Sequence, residues 1–331
     1  MAVQNSLAKS QKMDFSAYIT QDAAKRIINK TLGGKSGVRF ISSIVSAVQA
    51  TPALQECGNQ SILSGALLGE SLKLSPSPQL GHYYLVPYND KRKGMVAQFQ
   101  IGYKGYIQLA IRSGQYKKLN VLAIKEGELE YFDPLNEEIK INLMIDKWDE
   151  REEAPTIGYY AMFELVNGFR KAIYWSKKQM IAHADKYSPA FSEKEAVVHT
   201  KYGDKKKVSF ENYEAGNYPD QDAWMYSSFW YKNFDGMAYK TMLRQLISKW
   251  GIMSIDLQTA VDKDMAVIHE NGSAEYVESE QEEENIVADQ KLNEASEESH
   301  KSEPFQAADT AMLSQATDDQ MGVEEAFFSQ P

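Results

Sequence analysis

Basic side chains at helical spacing are the residues of this sequence best suited to chemistry, and that chemistry is the binding of a phosphate backbone. Lys104, Gln108 and Arg112 recur at every fourth position, which places them on one stripe of an α-helix. Lys240 and Arg244 repeat the same spacing in a later segment. Because lysine and arginine neutralise phosphates, the two stripes predict a nucleic-acid interface. An ordinary solvated helix face would carry the same pattern.

Three basic turns extend this prediction. Residues 201–207 contain four lysines and precede Phe210, so we expect a basic hairpin or loop that follows a backbone and touches bases. A lysine-rich turn that keeps a sheet edge soluble is the alternative. Residues 91–93 and 33–36 are further basic turns with the same ambiguity. The candidate DNA-binding residues are Lys35, Arg92, Tyr103, Lys104, Gln108, Arg112, Lys201, Lys205, Lys206, Lys207, Phe210, Lys240 and Arg244.

Two patterns resemble enzyme motifs and fail on inspection. Residues 34–36 match the end of a phosphate-binding P-loop, but the motif needs glycine where the chain has Asn29 and a strand where residues 23–28 have helical character. Asp133 with residues 138–140 resembles a nuclease set of carboxylates and lysine, a spacing too common to be specific. The five histidines lack ligand spacing. We therefore predict a protein that is not an enzyme and needs no cofactor or metal; a metal- or nucleotide-dependent DNA-processing enzyme is the alternative.

The charge is divided unevenly along the chain. The 331 residues have a net charge of −10, from 36 basic and 46 acidic residues. Residues 263–331 hold 3 basic and 18 acidic residues, which leaves 33 basic and 28 acidic residues for 1–262. A mildly basic body thus carries an acidic tail. The single cysteine, Cys57, excludes an intrachain disulfide and a multi-cysteine zinc site. Together with the lack of a signal-peptide pattern or a long apolar run, this predicts a location in the bacterial host cytoplasm.

The elements that must position these residues are helices and strands in irregular alternation. Helical patterns cover residues 102–113 and 235–250, and strand patterns cover 82–87 and 95–101. Further strands end and begin around the turn residues Asn167 and Gly168, which predict a hairpin. No repeat is visible, and strands do not alternate regularly with helices. The sequence therefore predicts an α+β fold rather than a doubly wound sheet.

Two parts of the chain are expected. Residues 1–262 form a mildly basic core with the predicted nucleic-acid interface, and residues 263–331 form a disordered acidic tail, because runs such as 278–284 bury too little apolar surface to order the chain. Within this tail, residues 321–328 place two phenylalanines behind two glutamates. That segment is either a short docking peptide for a partner or a chance apolar cluster.

Three segments together resemble one protein family. The first is Gln100–Ala110, QIGYKGYIQLA, followed by Arg112, Ser113 and Gly114. The second is Leu80–Tyr88, LGHYYLVPY, and the third is Met237–Arg244, MAYKTMLR. In combination they resemble the RecT family of single-strand DNA annealing proteins over about residues 15–260.

The resemblance implies ATP-independent annealing of complementary single strands in phage or prophage recombination. It also implies homo-oligomers in rings or helical filaments, a compact β-sheet-and-helix core, and a partner 5′–3′ exonuclease. Where the family segments and the basic stripes coincide, they favour Lys104, Arg112, Lys240 and Arg244 as DNA contacts. We expect the chain to hold single-stranded DNA and the annealed duplex, and the tail to dock the exonuclease or a host single-strand binding protein. An assembly protein whose basic stripes are only solvated faces is a further alternative.

Overall fold

The computed structural model describes residues 13–90, 92–200 and 203–276, which form helices and antiparallel strands. The predicted α+β class is therefore confirmed. The α-helices of these residues are α1 (Phe15–Ile19), α2 (Asp22–Leu32), α3 (Gly34–Ala50), α4 (Asn59–Ser71), α5 (Tyr103–Arg112), α6 (Trp148–Glu153), α7 (Lys177–Tyr187), α8 (Phe210–Glu214), α9 (Phe229–Lys232), α10 (Phe234–Trp250) and α11 (Ile255–Asp262). The β-strands are β1 (Tyr83–Asp90), β2 (Gly94–Ile101), β3 (Tyr116–Lys125), β4 (Leu129–Asp133), β5 (Glu138–Ile141), β6 (Thr156–Leu165), β7 (Arg170–Ser176), β8 (Ala196–Thr200), β9 (Gly203–Lys207), β10 (Ala266–Ile268) and β11 (Ala274–Tyr276).

A four-stranded antiparallel sheet with the order β1–β2–β10–β11 carries the start of α5. Its first two strands form a hairpin in which Tyr83 lies opposite Ile101. The turn at the far end is fixed because the Asp90 carboxylate accepts the backbone N–H groups of Arg92 and Lys93, both at 2.7 Å. Residues 96–99 of β2 are all buried, so both faces of this strand are covered. α4 packs against this sheet.

A three-stranded antiparallel sheet with the order β3–β6–β7 forms the second layer. β6 is buried on both faces, because Tyr159 and Phe163 point into one core and Tyr160 and Met162 into another. The predicted turn between β6 and β7 is confirmed, with Gly168 at a φ of +90°, a conformation that favours glycine. The hairpin of β4 and β5 packs on the core that contains Tyr160 and Met162.

Helix α10 joins the two sheets. Its Met242 and Leu246 belong to the core of the three-stranded sheet, whereas Leu243 and Ile247 belong to the core of the four-stranded sheet. Because these pairs alternate around the helix, one helix is buried against both layers. The helix begins at the side chain of Asn233, which accepts the N–H of Gly236.

The N-terminal helices α1, α2 and α3 form a separate cluster with α4. Phe15, Ile28, Phe40 and Ile44 are buried there, and Ala97 of β2 joins them. This cluster therefore covers the part of the four-stranded sheet that lies towards the β1–β2 turn, while α5 begins at the other end of that hairpin.

The ordered core extends beyond the predicted boundary at residue 262. β10 pairs with β2, and β11 pairs with β10, so residues 266–276 complete the four-stranded sheet. The prediction that the tail begins at 263 is wrong for these residues, because short apolar strands buried in a sheet follow directly after α11. Residues 277–331, with the candidate docking peptide at 321–328, lie outside the described residues. None of the described helices combines the length and the hydropathy that a membrane span requires.

Candidate nucleic-acid interface

The start of α5 is positioned by a close backbone contact. Gly102 donates its N–H to the carbonyl oxygen of His82 at 2.9 Å. A Cβ on Gly102 would lie 2.2 Å from the carbonyl oxygen of Gly81, and one on Gly105 would lie 2.1 Å from that of His82. Both glycines are thus needed for the chain's own backbone to reach the helix.

Lys104 is exposed at the first turn of α5, while Arg112 at its end is held by α4. The Arg112 guanidinium donates to the carbonyl oxygens of Leu72 at 2.5 Å and Lys73 at 3.3 Å. These carbonyls are among the last of α4, whose partial negative charge an arginine complements. Arg112 therefore caps the C-terminal end of α4, and part of its side chain remains on the surface. Gln108 lies between the two residues and is half-buried.

His82 lies near both cations of the α5 stripe, Lys104 and Arg112. Burial lowers the pKa of His82, and the nearby charges of Arg112 and then Lys104 lower it further. Its Nδ1 accepts the backbone N–H of Ser75 at 3.2 Å. The predicted stripe thus exists, with Lys104 as its freely exposed cation.

Aromatic side chains border Lys104. Lys104 Nζ lies 5.9 Å from the ring centroid of Tyr103. Tyr103 lines a depression together with Tyr84, Phe229, Met237 and Lys240. The rings of Tyr84 and Phe229 are 5.5 Å apart between centroids, and Phe229 is 40% exposed. Rings in such positions offer stacking faces for bases.

Tyr103, a predicted DNA contact, packs its ring edge-on against Tyr239 at 5.5 Å. Tyr84 and Phe229 were missing from the candidate residues. The alternation of side chains along β1 could have identified Tyr84, because the Tyr84 side chain points to the face opposite the buried Tyr83.

The second basic stripe is internal. Lys240 Nζ lies 2.9 Å from Oδ1 of Asp264, and an Arg244 guanidinium nitrogen lies 2.9 Å from Oδ2. Asp264 Oδ1 also accepts the backbone N–H of Ile101 at 3.0 Å. Lys240 is only 7% exposed, so its prediction as a DNA contact is wrong. Arg244 is partly exposed and pairs with the other oxygen of the same carboxylate, so this group of two cations and one anion keeps one positive charge.

The predicted basic hairpin exists as β8 and β9. Lys205 and Lys206 are exposed on β9, as expected for a surface that contacts DNA. The Lys205 ammonium lies 3.8 Å from a carboxylate oxygen of Asp222, a loose pair on the surface. Lys201 lies outside the described residues.

The last residue of this hairpin turns inward. Lys207 is 6% exposed, donates to the carbonyl oxygen of Ala190 at 2.9 Å and lies 4.5 Å from the ring centroid of Tyr231. Desolvation lowers its pKa to about 8. Phe210 is 3% exposed within an aromatic core. The predictions that Lys207 and Phe210 contact DNA are wrong, because both side chains are buried by neighbouring aromatic residues.

The remaining candidates lie apart from α5. The β1–β2 turn with Arg92 is seven residue steps from Ile101 along β2, about 23 Å at the usual strand rise. Lys35 lies in the first turn of α3, which follows α2 directly through Gly33. A P-loop requires a strand at that point, so the structure confirms that residues 34–36 do not form one.

The nuclease-like set on β4 and β5 has structural partners. The Asp133 carboxylate accepts the N–H groups of Leu135 and Asn136 and so closes the hairpin turn. Lys140 pairs with Glu130 on the opposite strand. Across the described ranges, histidine, cysteine and carboxylate side chains form no group of three or more that could hold a metal ion.

The described residues thus form an α+β fold with an exposed cation and aromatic rings around the start of α5. The family model of the RecT family matches residues 38–288 of this chain, which therefore belongs to the RecT family. Family membership supports a role in DNA recombination by single-strand annealing.

Two curated proteins are similar to this chain over most of its length. An uncharacterized protein of Bacillus subtilis (strain 168), YqaK, is 37% identical over 254 residues, covering 75% of this chain and 73% of the relative. Protein RecT of Escherichia coli (strain K12) is 29% identical over 262 residues, covering 78% of this chain and 82% of the relative. The α5 segment and α10 both lie inside the matched region.

Proposed function

We propose that this protein binds single-stranded DNA across the start of α5 and anneals complementary strands without ATP, as part of phage recombination in the bacterial cytoplasm. The observation that carries the proposal is the exposed Lys104, whose Nζ lies 5.9 Å from the ring centroid of Tyr103 in the region that the RecT family model matches.

The binding step uses charge and stacking. Phosphates of the first strand contact Lys104, and the same strand extends towards other exposed basic residues such as Lys205, Lys206 and Arg92. Lysine contacts of this kind give affinity without sequence preference because they address only the backbone. The aromatic rings order the strand by stacking on some bases.

The annealing step needs alignment rather than bond chemistry. Bases that stay exposed in the first complex are free to test a second strand, and correct pairing releases stacking and hydrogen-bond energy. The protein is therefore no enzyme in this proposal. It requires no cofactor, and it holds the annealed duplex as the product of the reaction.

Assembly and partners complete the proposal. Protomers in a ring or helical filament repeat the Lys104 surface along the DNA and multiply a small net positive charge. A 5′–3′ exonuclease supplies the single strand. The acidic residues after Val277 dock that exonuclease or a host single-strand binding protein.

An annealing assay tests the function. Two complementary oligonucleotides are mixed with the protein in the absence of ATP and in the presence of a chelator, with a non-complementary pair as control. We expect pairing well above the spontaneous rate for the matched pair alone. A rate equal to the spontaneous one rejects the proposal, and a requirement for nucleotide or metal favours a DNA-processing enzyme.

The Lys104→Gln variant tests the site. Each phosphate contact contributes about 0.7 to the slope of log affinity against log salt for single strands, so we expect a weaker complex and a shallower slope. Lys178→Gln, an exposed lysine on α7, is the matched control. Unchanged affinity and slope in Lys104→Gln would remove this lysine from the interface.

A further inference from the structure

Most of the acid in residues 1–262 is concentrated in one segment. Residues 126–153 hold 11 acidic and 3 basic residues, which leaves 30 basic and 17 acidic residues for the remainder of that range. The segment contains β4, β5 and α6 and covers one side of the three-stranded sheet. We name this surface the acidic face. A DNA-binding protein gains from keeping such charge away from the strand that it holds.

The acidic face also exposes large apolar side chains. Leu135 is 88% exposed, Ile145 68% and Trp148 57%, all within fourteen residues of one another. Leu135 lies in the turn between β4 and β5, whereas Ile145 and Trp148 lie three residues apart towards the other end of that hairpin. Exposed apolar residues that are grouped as closely as Ile145 and Trp148 commonly mark interfaces with other proteins. The combination of apolar residues with surrounding carboxylates indicates a partner that is apolar and basic.

This face is a fixed part of the fold. Glu128 is fully buried, and its carboxylate accepts the backbone N–H groups of Lys125 at 2.8 Å and Met144 at 3.1 Å. The same carboxylate pairs with Arg151 of α6 at 2.6 Å. A buried, fully bonded carboxylate therefore ties β4, the chain after β5 and α6 together. Surfaces held in this way bind without paying a large ordering cost.

A complementary surface lies on the N-terminal helices of the same chain. Residues 13–50 hold five basic and two acidic residues, and Lys25, Arg26, Lys30 and Arg39 are exposed. Val38 is 72% exposed beside Arg39 on α3. We name this surface, formed by α2 and α3, the basic face.

The two faces belong to opposite ends of a series of hydrophobic clusters. The N-terminal cluster shares Leu85 with the cluster of the four-stranded sheet, and that cluster shares Tyr116 with the cluster around α10. The last cluster, beneath the acidic face, lies across the three-stranded sheet from the α10 cluster. No residue belongs to both end clusters. A contact between the two faces therefore has to join different molecules.

We propose that the acidic face of one copy docks on the basic face of a second copy, in a head-to-tail interface. Opposite charges surround exposed apolar residues on the two faces, which favours this contact, whereas acidic on acidic or basic on basic contact is repulsive. A contact between two different surfaces repeats, so it builds a ring or an open filament. The inference rests on the proposed function only in that it names the interface through which the proposed annealing protein assembles.

Two variants of the full chain test the interface. The acidic-face variant carries Asp149→Lys and Glu153→Lys, and the basic-face variant carries Arg26→Glu and Lys30→Glu. All four positions are exposed, and circular dichroism checks that both variants fold. Lys178→Glu on α7 is the control for a charge change elsewhere on the surface.

Sedimentation gives the expected pattern. For each variant alone, the protein concentration needed for half-assembly rises by at least about tenfold, whereas Lys178→Glu assembles like the wild type. Mixing the two variants restores assembly, because the intact acidic face of one docks on the intact basic face of the other and the two reversed faces again carry opposite charge. A contact between two identical faces would not give this result, since one of the variants would assemble alone.

Three outcomes overturn the inference. One is assembly of either variant at wild-type concentration. Another is a basic-face variant that loses DNA affinity while assembling normally, because α2 and α3 would then belong to the DNA interface. The third is a wild-type chain that anneals strands but stays monomeric; this rejects the interface while the proposed annealing function stands. Failure of annealing with normal assembly instead rejects the function and leaves the interface intact.

Discussion

Replacing Asp264 by alanine separates two roles for the basic stripe of α10. The Asp264 side chain is fully buried and pairs with Lys240 and Arg244 at 2.9 Å each. It also accepts the backbone N–H of Ile101. If this network holds the core together, its loss destabilises the protein. If the two cations instead served DNA, their release from the carboxylate would strengthen DNA binding.

The size of the expected loss of stability follows from the burial of the Asp264 ion pairs. Removing one partner of a buried ion pair costs about 3–5 kcal/mol, because the remaining charge is left without compensation. Lys240, with its side chain 8% exposed, is the charge that would be left. At about 2–4 °C per kcal/mol for a domain of this size, the midpoint of thermal unfolding should fall by roughly 6–20 °C. The double variant Asp264→Ala with Lys240→Met should regain part of the lost unfolding free energy, since an apolar replacement of a buried pair is frequently neutral.

Urea unfolding monitored by tryptophan fluorescence measures the loss, and binding to a labelled single strand measures DNA affinity on the same samples. Asp262→Ala, an exposed carboxylate two residues earlier, is the control and should stay within about 0.5 kcal/mol of the wild type. An Asp264→Ala protein with wild-type stability and higher DNA affinity would refute the reasoning.

Three further predictions concern other parts of the core. Gly105→Ala should destabilise the protein by about 1–3 kcal/mol, because the new Cβ overlaps a backbone carbonyl, and thermal unfolding measures this. Lys207 has its pKa lowered by burial from 10.5 to about 8, so the native state releases its proton first and stability should rise between these pH values. The difference in unfolding free energy between wild type and Lys207→Met, followed from pH 7.5 to 9.5, isolates this contribution. Truncation after Asp262 should abolish folding, whereas truncation after Val277 should preserve it, as judged by circular dichroism.

Each of these predictions has a result that contradicts it. Gly58→Ala, where a Cβ meets no atom closer than 3.9 Å, should be tolerated, and equal effects at both glycines would argue against the backbone overlap. A pH-independent difference for Lys207→Met would mean that this amine is solvated. A folded, monodisperse 1–262 fragment would show that the last two strands are dispensable.

The sequence predicted the elements that depend on local pattern. The β6–β7 hairpin follows from Asn167 and Gly168, because the Asn167 side chain accepts the N–H of Phe169 at 3.0 Å and Gly168 adopts the positive φ that favours glycine. α10 follows from apolar residues at helical spacing and a glycine just past its end. The placement of the last two strands could not be predicted in the same way. They are three residues long, and averaging over an acidic stretch conceals them.

The candidate site was predicted only where exposure follows from local chemistry. Lys104 lies in the first turn of α5 and is exposed, as its helical spacing predicted, while its contact with DNA stays a prediction. Lys207 and Lys240 have the same residue type and similar spacing, yet both are buried. Their fate depends on partners far away in the sequence, since Asp264 is 24 residues from Lys240. Helical periodicity gives the face on which a charge lies, but it does not reveal whether another element covers that face.

The distribution of charge connects the DNA surface with the assembly surface. Burial of Lys240 and Lys207 removes two cations from the surface available to DNA, so the exposed positive charge has to come from other residues. If the carboxylates of residues 126–153 were spread evenly, they would oppose the strand wherever it ran. Their concentration on one face leaves the rest of residues 1–262 with thirteen more basic than acidic residues. A neighbouring copy that covers this face would shield the strand from the repulsion, so head-to-tail assembly should strengthen DNA binding for an electrostatic reason as well as by repetition of the site.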